Sequence, residues 1–339
     1  DKFEKEFSEY TGIPHCVALA SGTAAIHLAL RIIEVQRDDE VWASDLTFIG
    51  SIAPANYMGA QPVFFDCDGT WTMDPDLLDD ALQEAARKGK LPKAIIPTDL
   101  YGQSCDLDRI ISMAGKYGVP VIADSAEAMG TVYRGRHSGS GAYAAAFSFN
   151  GNKIITTSGG GMLASDDKGL IDRARYLAQA ARQPVAHYEH TEVGYNYRLS
   201  NISAAIGRGQ LQVLTDRVKR RREIFSRYAT RLSTQPGIKF MSEAPYGQCT
   251  RWLTVMLVDS RKTGVTTEEI RLALEQKNIE SRPVWKPMHL QPAFREARHV
   301  GGDMASDFFR QGLCLPSGSQ MTDREVDGVC AHILQVCAR

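Results

Sequence analysis

PVIADSAEAMGTVYRGRHSGSGAYAAAFSFNGNK (residues 120–153) contains two short apolar runs joined by a glycine-rich, polar connection. PVIADSA (120–126) and YAAAFSF (143–149) read as strands. The first carries Asp124 near its end; the second ends by Ser148, with Lys153 five residues later. Towards the N-terminus, HCVALA (15–20), EVWASDL (40–46), PVFFDC (62–67) and KAIIPTD (93–99) repeat the strand pattern. Between several of them, TAAIHLALRIIE, DPDLLDDALQEAARKG and DLDRIISMAGKYG place apolar residues at helical spacing. This alternation predicts an α/β chain with a mostly parallel central sheet and helices on both faces. Ligands of such sheets bind beyond the carboxyl ends of the strands, so the residues following each strand matter most.

Past residue 200 the pattern changes. Residues 200–232 predict one long helix, opened by Ser200 as N-cap. Its basic run RVKRRR (217–222) reads as a solvated helix face. A strand (TVMLVD, 254–259), a helix opened by TTEE (266–269), a strand near IESRPV and a last helix opened by TDRE (322–325) follow. We expect a large domain over residues 1–215 and a smaller C-terminal α+β domain over 216–339.

The 339 residues suffice for a full core, and the net charge of −1 gives no electrostatic case for nucleic acid or an anionic membrane. No apolar stretch reaches the roughly 18 to 20 residues that span a bilayer. The polar start, DKFEKEFSEY, is not a signal peptide, and without an initiator Met the native beginning is expected to lie upstream. Seven scattered cysteines with no CxxC pair argue against a zinc site or disulfide framework. They read as small buried hydrophobes in a reducing, cytoplasmic setting.

Four strand ends carry candidate chemistry. SGT (21–23) begins a helix, where free N–H groups and the Thr23 hydroxyl suit a phosphate; a plain helix cap explains it too. In DSAEAMG (124–130), Asp124 and Glu127 can point two carboxylates into one crevice, although Asp124 serves equally as a turn cap. Ser148 adds a hydroxyl beside Lys153. A lysine used for Schiff-base chemistry needs a partly desolvated site with polar neighbours. SGGG (158–161) lets backbone pass close to something bulky, or simply turns a hairpin. Phosphate cradle, acid, hydroxyl and lysine together point to pyridoxal 5′-phosphate.

The chain resembles the DegT/DnrJ/EryC1/StrS sugar aminotransferases, which have the type I aminotransferase fold. The resemblance covers nearly the whole chain and rests on five blocks in order: ALASGTAAIHLAL, SDLTFIGSIAPANYMGAQPVFFD, PTDLYGQSCDLD, VIADSAEAMGTVYRGRHSGSGAYAAAFSFNGNKIITTSGGGML and GYNYRLSNISAAIGRGQL. It implies that Lys153 bonds the coenzyme and shuttles the proton. Asp124 pairs with the ring nitrogen and Glu127 contacts the O3′ side. Gly22, Thr23 and Ser148 hold the phosphate, and Phe48 stacks on the ring. Asn196 reaches the phosphate of a neighbouring subunit's coenzyme, which implies a homodimer with shared active sites.

HYEHTEVGYNYRLSN (187–201) and SRPVWKPMHLQPAF (281–294) are most similar to enzymes that aminate UDP-linked 4-keto-6-deoxy-N-acetylhexosamines, as in bacillosamine-type glycan synthesis. They imply His187, Tyr188, His190, Arg198, Trp285, Lys286 and His289 as substrate contacts. Exposed loop residues, or pairing within the fold for Arg198, would explain several of these equally. Glutamate is the amino donor the family implies, with pyridoxamine phosphate as carrier between half-reactions. Relatives with histidine in place of the lysine are sugar dehydratases. Lys153 speaks against that lyase reading, and a non-catalytic coenzyme-binding regulator is the other alternative. The family also implies a further segment before KFEKEFSEY.

Overall fold

The computed structural model describes residues 1–338. Its strands, in chain order, begin with β1 (His15–Leu19), β2 (Glu40–Ser44), β3 (Gln61–Phe65), β4 (Ala94–Ile96) and β5 (Ile122–Asp124). β6 (Val132–Tyr133), β7 (Arg136–His137), β8 (Ala144–Ser148), β9 (Gly161–Ser165) and β10 (Ile238–Phe240) follow. The last are β11 (Gly247–Gln248), β12 (Thr254–Val258), β13 (Arg282–Pro283), β14 (Arg298–Val300) and β15 (Gly312–Leu315).

Two four-stranded segments, β1-β9-β8-β5 and β14-β3-β2-β4, meet through the parallel bridges Ile95↔Val121 and Thr98↔Asp124. The result is a single central sheet. β9 runs antiparallel to both neighbours, and every other pairing is parallel. The expected mostly parallel sheet is therefore present. Its strands are buried on both sides, and adjacent residues alternate between two cores. Phe64, Ile96, Ile122 and Ala146 pack into one; Phe65, Ile95, Ala123 and Phe147 pack into the other. Fully burying a Phe contributes about 1.5–3 kcal/mol, so Phe64 and Phe65 alone anchor β3 from both faces.

A second, antiparallel sheet, β10-β12-β15-β13, is covered by the helices Leu214–Leu232, Thr267–Glu275 and Asp323–Cys337. Its core gathers Ile224, Tyr228, Met256, Ile270, Leu313, Val326 and Ile333. Both expected capping boxes form, Thr266 with Glu269 and Thr322 with Glu325. The segment after β13 returns to the first sheet. Phe294 packs on Phe64, and β14 extends the sheet edge beside β3.

The single helix expected over 200–232 is two. Ser200 caps Asn201–Gln212, and a second helix, Leu214–Leu232, starts after Val213, whose φ of −103° and ψ of 3° depart from helical geometry. The axis changes because the halves serve different partners. Gly207 lies so close to Phe3 that an added Cβ would sit 2.7 Å from the ring, which seats the first half on the N-terminal helix Lys2–Thr11. The second half packs on the second sheet. The expected solvated basic face is also corrected. Arg221 is buried, and Arg220 and Arg222 are paired to Asp323 and Glu243.

All seven cysteines are free thiols, six of them buried. No helix among the described residues is long and apolar enough to cross a membrane.

Candidate active site

The carboxyl ends of β1, β2, β4, β5 and β8 surround a cavity of about 310 Å³. Gly22, Thr23, Phe48, Asp124, Glu127, Ser148, Lys153 and Trp285 all line it. The sheet brings together residues that lie up to 263 positions apart between Gly22 and Trp285.

Lys153 is held in the turn after β8, its N–H donating to the Asn150 carbonyl at 3.0 Å. Its ammonium lies 3.5 Å from Glu127 Oε1 and 4.1 Å from the centre of the Trp252 ring. Glu127 also accepts from the Tyr101 N–H (2.8 Å) and from Trp285 Nε1 (3.2 Å). Burial pushes its carboxyl up, while the Lys153 charge and these donors pull it back. Three donors converge on it, so Glu127 serves as an anchor for the lysine and for the loop carrying Trp285. Sequence reasoning missed Trp252, which lies a hundred residues from Lys153 and meets it only because the second sheet packs against the first.

Asp124 ends β5 and is almost fully buried. The Ser51 hydroxyl donates to its Oδ2 and the Ala126 N–H to Oδ1 at 3.1 Å. Burial raises its carboxyl, and Ser51, the Ala126 N–H and the Lys153 charge oppose that shift. Ser51 is in turn tied to Thr47 (2.6 Å), and Thr47 to Thr98 (3.0 Å). This hydroxyl chain was also missed; SDLTFIGS carried the signal in its small polar residues beside a strand end. Asp124 does more than cap a turn, since its carboxylate lines the cavity.

Asp99 sits behind Asp124, fully buried, accepting from the Ser125 hydroxyl (2.6 Å) and the Cys105 N–H (2.9 Å). Burial raises it to about 6. The native protein therefore binds this proton more tightly than the unfolded chain, and ionising it costs stability as the pH climbs from about 4 to about 6. Asp99→Asn keeps both contacts, one reversed, without the charge. The variant is expected to gain stability relative to wild type across that pH range, as read from denaturant titrations at each pH.

At the other end of the cavity the helix Gly22–Ile32 begins. Ser21 Oγ takes the Ala24 N–H and the Ser21 carbonyl takes that of Ala25. Among the described contacts the N–H groups of Gly22 and Thr23 and the Thr23 hydroxyl have no partner, which is the arrangement an anion completes. Gly161, at the start of β9, passes so near this helix start that a Cβ would lie 2.3 Å from the Ser21 carbonyl carbon. The glycine run thus does more than turn a hairpin.

Phe48 is 52% exposed and stands 5.6 Å from the Trp285 ring across the cavity. It is not a core residue. The remaining expected residues lie elsewhere. Asn196 and Arg198 are exposed and line a separate groove with Arg175 and Arg182. Tyr188 is exposed under the Arg182 guanidinium, His187 faces Glu189, and His190 Nδ1 donates to the Ala180 carbonyl. Lys286 is half-buried. His289 does not line the cavity: its Nδ1 lies 2.6 Å from the buried Asp45, its N–H donates to the same carboxylate, and its ring stacks on His299. Asp45, following β2, thereby fixes the loop that presents Trp285.

A family model described as the DegT/DnrJ/EryC1/StrS aminotransferase family matches residues 1–334. The chain belongs to this family. EpsN of Bacillus subtilis, which bears the name of a pyridoxal phosphate-dependent aminotransferase, is 48% identical, spanning 99% of this chain and 87% of EpsN. GDP-perosamine synthase of Caulobacter vibrioides is 37% identical over 99% of this chain and 89% of its own length. The PLP-form of the Streptococcus pneumoniae sugar aminotransferase Spr1654 superposes with a TM-score of 0.88 at 29% identity, covering 99% of this chain and 90% of that one. That protein is also known in a PMP-form. The chain is a pyridoxal phosphate-dependent aminotransferase of the type I fold.

The residues fit that cofactor. A helix start with unpartnered donors, a buried carboxylate and a half-desolvated lysine share one cavity. As a DegT-family protein, the chain would hold the phosphate at Gly22, Thr23 and Ser148 and the ring nitrogen at Asp124.

Proposed function

We propose that this enzyme transfers the amino group of an amino acid, L-glutamate first among them, to the keto carbon of a nucleotide-linked keto-deoxy sugar. The substrate is a UDP-2-acetamido-4-keto-2,6-dideoxyhexose and the product a 4-amino sugar for glycan synthesis. The convergence of Lys153, Asp124 and Glu127 on one cavity carries the reading. When bound, pyridoxal phosphate supplies an aldehyde that takes up the donor amine and a ring that accepts the electrons left on carbon. Lys153 Nζ would take the proton from the donor Cα and deliver it on the coenzyme side of the C–N bond rather than back to Cα, which is what makes the transfer net. Glu127 balances the ammonium that this leaves on the lysine. Asp124 keeps the ring nitrogen protonated, and Phe48 and Trp285 close the cavity mouth against water.

The sugar assignment is supported by the GYNYR and PVWKPMHLQPAF stretches and by relatives named for a nucleotide-linked amino sugar. Because those names specify GDP, the decisive experiment offers UDP-, dTDP- and GDP-linked keto-sugars with glutamate and identifies products by NMR. Amination of the UDP-4-keto sugar is expected. Amination of dTDP-3-keto sugars alone would refute the 4-keto assignment, and no amination of any sugar would refute the function.

The working unit is a cytoplasmic homodimer, with residues 1–215 carrying the cofactor and most of 216–339 forming the smaller domain, apart from the segment from Trp285 to Val300 that returns to the first sheet. The helix Asn201–Gln212 buries only Gly207 and Leu211, leaving Ile202 78% and Ile206 43% exposed. Such an apolar stripe suits a second copy. Asn196, outside its own chain's cavity, then serves the partner's phosphate. Mixing inactive Lys153→Ala and Asn196→Ala proteins, after subunit exchange, is expected to restore about a quarter of the wild-type rate, because half the dimers carry one intact site. No recovery would mean that each site is built from one chain.

A further inference from the structure

A larger cavity, about 980 Å³, opens beside the cofactor cavity and shares Asn152 and Trp285 with it. One wall carries Arg221, from the helix Leu214–Leu232. Its neighbours on that helix are paired: Arg220 with Asp323, Arg222 with Glu243, Arg227 with Asp327. Arg221 is not. It is 9% exposed, and its one hydrogen bond among the described residues runs from Nη1 to the Trp252 carbonyl. Its Nε is buried with no partner. Burial and the like charge of Arg217 push its pKa down to about 10, which still leaves it cationic at neutral pH.

A buried guanidinium without a counter-charge is costly, and the cost is offset when an anion occupies the adjoining space. A second orphan belongs to the same cavity: Ser281 Oγ is buried without a partner. The two acids lining the cavity are already engaged, Glu325 with the Thr322 N–H and hydroxyl, Glu280 with Arg282.

We propose that Arg221 binds a carboxylate of the amino donor. The assignment rests on the amino-acid half of the function proposed above. Nη2 is the guanidinium nitrogen that is neither bonded within the protein nor sealed from the cavity, and a carboxylate there gains a charge-assisted hydrogen bond to a planar cation. A diphosphate would bring at least two charges to a single unpaired cation; a carboxylate brings one. The position also suits the chemistry. Arg221 donates to the Trp252 carbonyl and the Trp252 ring lies 4.1 Å from Lys153 Nζ, so a single residue links the guanidinium to the reactive amine.

The test uses cofactor-loaded protein and two probes. Arg221→Gln should raise the half-saturating L-glutamate concentration of the donor half-reaction about 10- to 100-fold, the loss expected for a charged hydrogen-bonded pair. It should weaken glutarate binding, measured by calorimetry, by a similar factor and leave UDP binding unchanged. Arg221→Lys, which keeps the charge but not the fork, should fall between the two and carries the comparison if the glutamine variant folds poorly. Unchanged glutamate and glutarate affinity would overturn the assignment. So would loss of UDP affinity with glutarate binding intact, which would assign Arg221 to the nucleotide. Should wild-type protein accept no amino donor, the proposed function fails, and the glutarate titration still decides whether Arg221 is a carboxylate site.

Discussion

Lys153→Ala is expected to lower turnover by about 10²- to 10⁴-fold, the contribution of a positioned proton carrier, with loss of the covalent link to the cofactor adding to that. The fold should survive. The side chain is 13% exposed and lies in a turn rather than a sheet core, and Glu127 keeps the Tyr101 and Trp285 donors when the ammonium is gone. The proposed phosphate cradle at Gly22, Thr23 and Ser148 is untouched, so the variant should still bind the cofactor, with altered visible absorbance. Lys153→Arg separates charge from chemistry. It restores a cation opposite Glu127, and hence stability, but a guanidinium does not give up its proton at neutral pH. It should be as inactive as the alanine variant and melt closer to wild type. Wild-type transamination by either variant would sink the assignment of Lys153.

Asp124→Asn is expected to cost about 10²- to 10⁴-fold in turnover. Removing one partner of a buried ion pair costs about 3–5 kcal/mol, and that much in a barrier is about two to four orders of magnitude in rate. The amide fills the same space, so the melting temperature of the cofactor-free protein should change little or rise, because a buried charge has gone. Cofactor should leave the variant more readily on dialysis. Ser51→Ala tests the support: it removes one donor to Asp124 and should lower turnover about tenfold, in line with a hydrogen bond to a charged group. Equal activity of wild type and Asp124→Asn would show that the acid does not face the ring nitrogen.

The central sheet was legible because its strands are apolar runs bounded by polar residues, and a sheet buried on both faces needs such runs. β9 was the exception in direction. GMLAS, which was not among the strands read from the sequence, is as apolar and small as β1 and β8 beside it, and nothing local distinguishes a strand that returns by a loop from one that returns by a helix. The cavity residues Gly22, Thr23, Asp124, Ser148 and Lys153 were legible for a related reason: each ends a strand or follows one within five residues, so order along the chain implied proximity at one sheet edge, whereas Asn196 follows no strand and lies outside the cavity. Trp252 and Arg221 were not legible. Trp252 reaches Lys153 through packing between the first and second sheets, Arg221 reaches the Trp252 carbonyl from a helix on the second sheet, and a basic run on an exposed-looking helix gives no sign that its third arginine turns inward. The break at Val213 had no signal either, since neither proline nor glycine marks it and the two halves pack on different partners, the first on Phe3 some two hundred residues earlier.

Of the four tryptophans, Trp42 and Trp71 are sealed in the core, whereas Trp252 and Trp285 flank the lysine and the mouth of its cavity. Emission from the latter pair overlaps the near-ultraviolet absorption of a bound coenzyme, so it should dim when the enzyme is loaded and shift again when substrate replaces water at the mouth. The protein thus carries its own optical gauge of occupancy, with the two interior indoles as a built-in reference.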